Sequence, residues 1–323
     1  MKNIGLMVLK STFVAALAAA AFSSGPRAKT LCAGFLPKNS MRIPVGDVHA
    51  LGIEETMFNS VLDRVQEVYG PIVASHGGKL VINRLWEDAT VNASAEQLGG
   101  NWIINMYGGL ARHKAVTEDG FALVACHELG HHLGGFPRIE GDEWATNEGG
   151  ADYYSSLKCA RRILSAKAPA LPDPIAVKGC SASYAEGADR NRCESSAMAG
   201  ISLSSLLAEL GQSPQPKLAT PDPSAVKQMD DSHPAAQCRL DTYYQAALCT
   251  KPLGQEQSNT EPAAGACTKS QGFTAGIRPL CWYKPPSAEA ELRLVASRQI
   301  GLDEKAVEAR IESLRTALAG GGK

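Results

Sequence analysis

Apolar residues recur at helical spacing in several stretches of this chain. Between Ile53 and Val73 they fall on one side, which predicts a scaffold helix. The same spacing returns at residues 234 to 249, and a shorter helix is predicted near Ile201 to Leu210. Two runs rich in β-forming residues, Lys79 to Trp86 and Trp102 to Tyr107, predict the strands of a small antiparallel sheet. The pattern as a whole predicts a mainly helical α+β fold.

A further apolar helical run carries the most distinctive residues of the chain. Thr117 can cap its start, and Pro137 follows its end. Within the run lies the motif His127-Glu128-Leu-Gly-His131. Because residues four apart on a helix project from one face, the two histidines can bind one zinc ion, and Glu128 can take a proton from a water beside it. The motif is short enough to arise by chance, so its surroundings have to support it.

A third zinc ligand is predicted further along the chain. A catalytic zinc site usually has three protein ligands, and a helix predicted to begin near Asp142 brings Glu148 as the third. Asp152, four residues later on the same face, can hold the outer nitrogen of a ligand histidine. The rival arrangement places a histidine six residues after His131, but that position is Pro137. The alternative is that Glu148 and Asp152 are ordinary surface carboxylates.

The composition narrows the class of protein. The 323 residues are 44% hydrophobic and 20% charged, which is enough apolar content for a substantial core. The formal net charge is −1, and this gives no support for nucleic acid as a partner.

The amino-terminal residues have the layout of a secretory signal peptide. Lys2 and Lys10 precede an apolar run from Phe13 to Phe22, and cleavage is predicted between Ala21 and Ser24. The alternative is an uncleaved anchor helix, although ten apolar residues are short for a membrane core of about 30 Å. No later segment reads as a membrane span. The protein is therefore predicted to be exported, either to a periplasm or out of the cell.

The cysteine content fits export, because exported chains use disulfides where cytosolic chains rarely do. The nine cysteines are residues 32, 126, 159, 180, 193, 238, 249, 267 and 281. An odd number leaves at least one unpaired, and Cys126, inside the apolar helix, is the predicted free thiol. Cys180 with Cys193, and Cys267 with Cys281, are candidate local pairs.

Several short blocks, taken in order, resemble one known family. The blocks are Asn92-Ala93, Gly99-Gly100, a strand ending in Gly109-Leu110, the run from Ala122 to His131, Glu148 with Asp152, and His233-Pro234 with Arg239. Their order is similar to that in gluzincin peptidases of the CAAX prenyl protease and HtpX-like family. The resemblance implies a zincin-like metallopeptidase fold in which an edge strand precedes the helix that carries the zinc motif.

What the resemblance implies for single residues is limited to the matching positions. His127, His131 and Glu148 would bind Zn²⁺, and Glu128 would be the general base. Arg239 would stabilise the tetrahedral oxyanion, and His233 would be a fourth ligand or a gate over the metal, against the alternative of a turn-capping histidine.

The substrate side of the predicted site is the strand before the zinc helix. A polypeptide substrate is expected to pair with this edge strand by β-augmentation. The strand consists of Trp102, Ile103, Ile104, Asn105, Met106 and Tyr107. Trp102 and Tyr107 either line subsites or pack across the sheet. His132 points away from the ligand face and is predicted to be a surface residue or a support for the ligands.

The chain departs from the family pattern in three respects. Only sixteen residues separate His131 from Glu148, the membrane helices of the prenyl proteases are missing, and a cysteine-bearing insertion is present. The predicted organisation is a signal peptide (1–23), a zincin core (24–164), an irregular cysteine-containing insertion (165–230), a helix with stapled loops (231–286) and a helical carboxyl-terminal segment (287–323).

The sequence thus predicts an exported zinc endopeptidase. One alternative is a zinc-bearing chaperone or binding module in which His233 plugs the site. The other is a disulfide-stapled structural protein with a chance motif. Glu128 counts against both.

Overall fold

The computed structural model describes residues 34–287, 309 and 311–313. The predicted signal peptide and nearly all of the predicted carboxyl-terminal helical segment lie outside these residues. The helices are α1 (Glu55–Ser75), α2 (Gly108–Ala111), α3 (Glu118–Leu133), α4 (Glu148–Tyr154), α5 (Arg161–Ile163), α6 (Pro174–Ser183), α7 (Ala188–Leu210) and α8 (Ala236–Leu248). The strands are β1 (Lys79–Leu85), β2 (Ala93–Leu98), β3 (Asn101–Tyr107), β4 (Arg138–Ile139) and β5 (Asp142–Thr146). The prediction of a mainly helical α+β fold is confirmed.

The main sheet differs from the predicted one in order and direction. β3 lies in the centre, parallel to β1 and antiparallel to β2. The run from Trp102 to Tyr107 is therefore not an edge strand, and the sheet is mixed. The edge beside α3 is β2, whose sequence Ala-Ser-Ala-Glu-Gln-Leu has few β-branched residues and gives little strand signal. Gly99 and Gly100 both have positive φ and make the two-residue turn that joins β2 to β3.

Helix α3 lies in the middle of the core. Every residue from Gly120 to Leu133 is buried, since α1, α4, α7 and the sheet all pack against the helix. This burial explains an apolar run with almost no polar face. The predicted cap is present, because Thr117 Oγ1 accepts a hydrogen bond from the Gly120 N–H at 3.1 Å.

The helix that carries Glu148 begins later than predicted. Residues from Asp142 to Thr146 form β5, which pairs with β4, and α4 starts at Glu148. The reason is Asn147, whose side chain accepts a hydrogen bond from the Gly150 N–H at 3.0 Å and caps the helix at this point.

Two glycines allow the elements around α4 to approach closely. At Gly130 of α3 an added Cβ would lie 2.7 Å from the carbonyl oxygen of Ala151, so α3 and α4 meet here. At Gly149 an added Cβ would lie 2.1 Å from the ring of Trp282. The sequence indicated a close approach at the paired glycines, but the partner there is Trp282 rather than α3.

The segment predicted to be an irregular insertion holds two helices, α6 and α7. Helix α7 is 23 residues long, and it packs against α3 and α8. Its contact surface is built from small residues; at Gly200 an added Cβ would lie 2.9 Å from Tyr243. Serine, alanine and glycine give a weak hydrophobic pattern, so the sequence predicted only the part of this helix near Ile201 to Leu210. The segment boundaries stay predictions.

Four disulfides cross-link the described residues, and they correct two predictions. They are Cys126–Cys159, Cys180–Cys193, Cys238–Cys281 and Cys249–Cys267. Cys126 is not free, because its helix crosses the segment after α4 and brings Cys159 within bonding distance. The Cys180–Cys193 pair is confirmed, whereas Cys267 bonds to Cys249 instead of Cys281. The four bonds fit a protein exported to an oxidising compartment. Across the described part of the chain, no helix is both long and apolar enough to span a membrane.

Candidate metal centre

Three predicted ligands meet at one point between α3 and α4. His127 Nε2 lies 3.1 Å from His131 Nε2 and 3.3 Å from Glu148 Oε2, and His131 Nε2 lies 3.6 Å from Glu148 Oε1. Ligand atoms arranged as a tetrahedron at about 2.0–2.2 Å from a zinc ion lie about 3.3 Å from one another. The three side chains therefore have the spacing that a single tetrahedral ion requires, and among the described residues they form a group that could hold a metal ion.

The hydrogen bonds of the two histidines fix which nitrogens face the centre. His127 Nδ1 lies 2.7 Å from Asp152 Oδ1, and His131 Nδ1 lies 2.8 Å from the carbonyl oxygen of Thr146. Both acceptors require an N–H at Nδ1, so the Nε2 lone pairs of the neutral rings point towards each other. Two lone pairs at 3.1 Å repel unless a cation lies between them. This arrangement suits a metal ion.

The electrostatics of the ligands follow from burial and from their mutual charges. Burial lowers the pKa of His131 to about 4, so this imidazole is neutral and ready to bind a metal. Burial also opposes protonation of His127, but the Asp152 and Glu148 carboxylates outweigh it and raise the pKa of His127 to about 9. Burial by itself raises the pKa of the Glu148 carboxyl, but the two histidines outweigh burial and lower this pKa to about 2. The two carboxylates therefore favour a positive charge at this position.

Glu128 lies fully buried beside the ligands, and neither of its carboxylate oxygens has a hydrogen-bond partner among the described residues. Burial raises the pKa of Glu128 to about 8. A buried carboxylate without partners is costly, so its persistence points to a group that the protein chain does not supply, such as a water held at the metal. Glu148 Oε2 is likewise buried without a hydrogen-bond partner.

Asp152 connects the metal centre to α8. Its Oδ1 accepts hydrogen bonds from Arg239 Nη2 at 2.7 Å and from the Tyr243 hydroxyl at 2.6 Å, in addition to the bond from His127. Arg239 Nε donates to Asp152 Oδ2 at 2.7 Å. All four side chains are fully buried, and the arginine together with His127 holds the pKa of the Asp152 carboxyl well below its usual range despite burial. This network orients the His127 ring.

The position of Arg239 does not match the predicted contact with an oxyanion. The guanidinium lies on the Nδ1 side of His127, whereas the atom that faces His131 is Nε2. Its Nε and Nη2 donate to Asp152, and its Nη1 donates to the carbonyl oxygen of Phe35 at 2.6 Å. The structure thus gives Arg239 a positioning role through Asp152.

His233 lies near the centre but outside the ligand group. Its Nε2 is 3.6 Å from Glu148 Oε2 and 2.6 Å from the carbonyl oxygen of Gly34, to which it donates. The neighbouring Phe35 is fully buried and meets the His127 ring edge-on, with 5.2 Å between ring centroids. The arrangement favours His233 as a group that holds the backbone at Gly34 beside Glu148, rather than as a fourth ligand.

The strand that faces the centre is β2. The Phe35 N–H donates to the carbonyl oxygen of Ala93 on the side of β2 away from β3. Because backbone groups alternate along a strand, Ala95 and Gln97 present their N–H and C=O groups to the same side. Within the described residues these groups have no backbone partner there. Residues 102–107, predicted to be an edge strand, lie instead in the centre of the sheet, and the edge on this side belongs to β2.

His132 is not a surface residue. It is 3% exposed, its Nε2 donates to the carbonyl oxygen of Ile103 at 3.2 Å, and its ring stacks on Trp102 at a centroid distance of 5.3 Å. Trp102 accordingly packs between the sheet and α3, and Tyr107 leads directly into α2.

Sequence reasoning missed three parts of the site. Tyr243 follows Arg239 by one helical turn, and this spacing is a signal that could have identified it. The carbonyl oxygen of Thr146 and the ring of Phe35 carry no motif, since a backbone carbonyl occurs at every residue and an isolated phenylalanine is ordinary in a core.

Comparison of this chain with protein-family models, with curated proteins and with solved structures gave no match. The functional conclusion therefore depends on the geometry of the centre.

Proposed function

We propose that this protein is an exported zinc-dependent endopeptidase of the gluzincin type, related to the CAAX prenyl protease and HtpX-like family. His127, His131 and Glu148 would hold the zinc ion, and Glu128 would act as general base and acid. The observation that carries the proposal is the convergence of two imidazole lone pairs and a carboxylate beside a buried, partnerless Glu128.

The donor set fits zinc better than the other common ions. Two imidazoles and one carboxylate at tetrahedral spacing leave a fourth position for water or substrate, as in catalytic zinc sites. Magnesium and calcium prefer sets made of oxygen atoms. When bound, zinc would supply Lewis-acid chemistry by polarising the scissile carbonyl and lowering the pKa of a water molecule.

The chain's own residues would transfer the proton, orient His127 and bind the peptide. Glu128 would take a proton from the attacking water and pass it to the nitrogen of the leaving amine, a transfer that suits a carboxyl whose pKa is raised by burial. Asp152 would keep the His127 ring fixed, because it accepts the Nδ1 proton and is itself held by Arg239. A peptide would pair with the free edge of β2 at Ala95 and Gln97.

The test replaces Glu128 by glutamine, which has nearly the same volume but cannot act as a base. Glu128→Gln should reduce the cleavage of an unfolded protein by at least about 100-fold while zinc stays bound. The control is Glu140→Gln, an exposed glutamate outside the centre, which should behave like wild type.

Two results would contradict the proposal. One is cleavage by Glu128→Gln at the wild-type rate, because the proposed base would then be unnecessary. The other is purified protein that binds no stoichiometric zinc, measured by elemental analysis and by dialysis against a chelator.

One observation favours the alternative of a covered, non-cleaving zinc site. Gly34 and Phe35 lie against His233 and His127, so these two residues cover part of the centre. A zinc-loaded protein that binds unfolded chains without cleaving them, and that gains activity in His233→Ala, would support this second function.

A further inference from the structure

A separate cavity of about 390 Å³ lies at the carboxyl-terminal end of α3. Its walls come from β2, β3, the end of α3, the β4–β5 hairpin and the loop around Gln257. None of the candidate zinc ligands lines it. The cavity is therefore distinct from the metal centre, although the two share a helix.

The inner wall of this cavity is aromatic. The ring of His132 stacks on Trp102 at 5.3 Å with an angle of 11°, and it contacts the tilted ring of Trp144 at 5.1 Å. The ring is held by Ile103 and by Gln97, whose side-chain amide lies 3.2 Å from His132 Nδ1. Such a wall is rigid and planar, and it suits the flat face of a bound group.

Polar atoms without partners belong to three of the lining residues. Trp144 is 6% exposed and its Nε1 is buried without a hydrogen-bond partner; Gln257 is 8% exposed, and neither its Nε2 nor its Oε1 has one. Arg138 Nε is also buried without a hydrogen-bond partner. Buried groups of this kind are costly unless a water or a ligand satisfies them. Three of the four atoms are N–H donors, so the missing partner is rich in acceptor oxygens.

The cavity is connected to the metal centre through shared contacts. Arg138 Nη1 donates to the carbonyl oxygen of His131 at 3.3 Å and to Thr146 Oγ1 at 3.2 Å, and the Thr146 carbonyl orients the His131 ring. Gln97, at the end of the free edge of β2, lies on the cavity wall. A peptide paired with this edge would pass the mouth of the cavity.

We propose that this cavity is a specificity subsite for the carbonyl-bearing end of a peptide side chain, the carboxylate of Asp or Glu or the carboxamide of Asn or Gln. The plane of that group would lie on the aromatic wall. Its oxygen would accept from Trp144 Nε1, Arg138 Nε and the Gln257 amide. An amide nitrogen could in addition donate to Gln257 Oε1. This assignment rests on the proposed peptidase function, since it takes the edge of β2 as the peptide's position.

The experiment measures binding in the Glu128→Gln protein, so that cleavage does not interfere. Each position of a blocked octapeptide is replaced in turn by Glu, Gln or Met. The three side chains have similar length, but only Glu and Gln carry a side-chain carbonyl. Dissociation constants come from calorimetry. At one position the Glu or Gln peptide should bind about 10-fold more tightly than the Met peptide. The order of Glu and Gln then identifies the natural chemical form.

Two variants connect the preference to the cavity. Trp144→Phe keeps an aromatic ring but removes the Nε1–H, and Gln257→Met keeps the length but removes the amide. Each should reduce the preference by at least about threefold and leave the Met peptide unaffected. The matched control is Trp86→Phe, at a tryptophan that packs under Arg112 and does not line the cavity.

The outcomes separate this inference from the proposed function. If the Glu or Gln peptide binds more tightly than the Met peptide but the wild-type protein cleaves no substrate, the subsite is supported and the peptidase function is rejected. Cleavage without any preference at any position, or a preference that survives both variants, overturns the subsite, and the cavity then holds ordered water only.

Discussion

The clearest test of how the metal centre is built is the substitution Arg239→Met. Arg239 is fully buried in α8 and donates two hydrogen bonds to Asp152 and one to Phe35. Methionine has a similar length and fills much of the same space, but it has no charge and no donor. The substitution therefore removes the partner of a buried carboxylate while most of the packing stays.

The expected magnitude follows from these contacts. Removing one partner of a buried ion pair costs about 3–5 kcal/mol, because the other charge remains buried without compensation. Asp152 would keep only the His127 and Tyr243 donors. A loss of this size is a large part of the 5–15 kcal/mol that typically stabilises a folded domain. Because Asp152 also fixes the His127 ring, we expect zinc to bind about 10-fold more weakly.

The assay has two readouts and a matched control. Denaturant unfolding of the metal-free protein gives the change in free energy, and competition with a chromophoric chelator gives the zinc dissociation constant. The control is Arg112→Met. Arg112 is also buried and also donates three hydrogen bonds, to the carbonyl oxygens of Ile43, Trp86 and Asp88, but it touches no candidate ligand. It should lower stability and leave zinc affinity within about twofold of wild type.

One result would refute this reasoning. If Arg239→Met lowers turnover while stability and zinc affinity stay at their wild-type values, the arginine acts on the reaction itself, and the oxyanion role suggested by the sequence regains support. A double-mutant cycle with Asp152→Asn adds a second check, since a coupling energy near zero would show that the two side chains act independently.

Two other predictions concern stability. Replacing Cys126 and Cys159 by alanine opens a disulfide with a sequence separation of 33 and should cost about 3–4 kcal/mol in denaturant unfolding; an unchanged midpoint would show that packing alone holds α3 in place. Gly149→Ala puts a methyl group 2.1 Å from the ring of Trp282 and should cost about 3 kcal/mol, whereas Gly254→Ala, with nothing within 4 Å, should stay within about 1 kcal/mol of wild type. Equal effects of the two glycine changes would argue against the packing at Trp282.

Local features of the site were predictable because the information for them lies within a few residues. The four-residue spacing of His127 and His131 needs only a helix. Thr117 caps that helix by accepting a hydrogen bond from Gly120, three residues later. The prediction that Glu148 and Asp152 share one helical face was also local, and α4 carries both.

Features that depend on distant partners were predicted poorly. Cys126 looked like a buried free thiol, because nothing near it in sequence shows that Cys159 crosses it. Trp102 looked like part of an edge strand, because β-propensity does not reveal which neighbour lies on either side; the weak strand Ala93–Leu98 took the edge instead.

The sequence by itself determined the chemistry that α3 can offer, two imidazoles and a carboxylate on one buried helix, because helical periodicity is a property of the chain. Only the tertiary structure decided what surrounds this helix. It placed Arg239 on the Nδ1 side of His127, put β2 at the edge of the sheet beside α3, and brought Phe35 edge-on to the His127 ring. Those choices depend on the packing of segments as many as 204 residues apart, as in the bond from Arg239 to Phe35, and no local pattern encodes them.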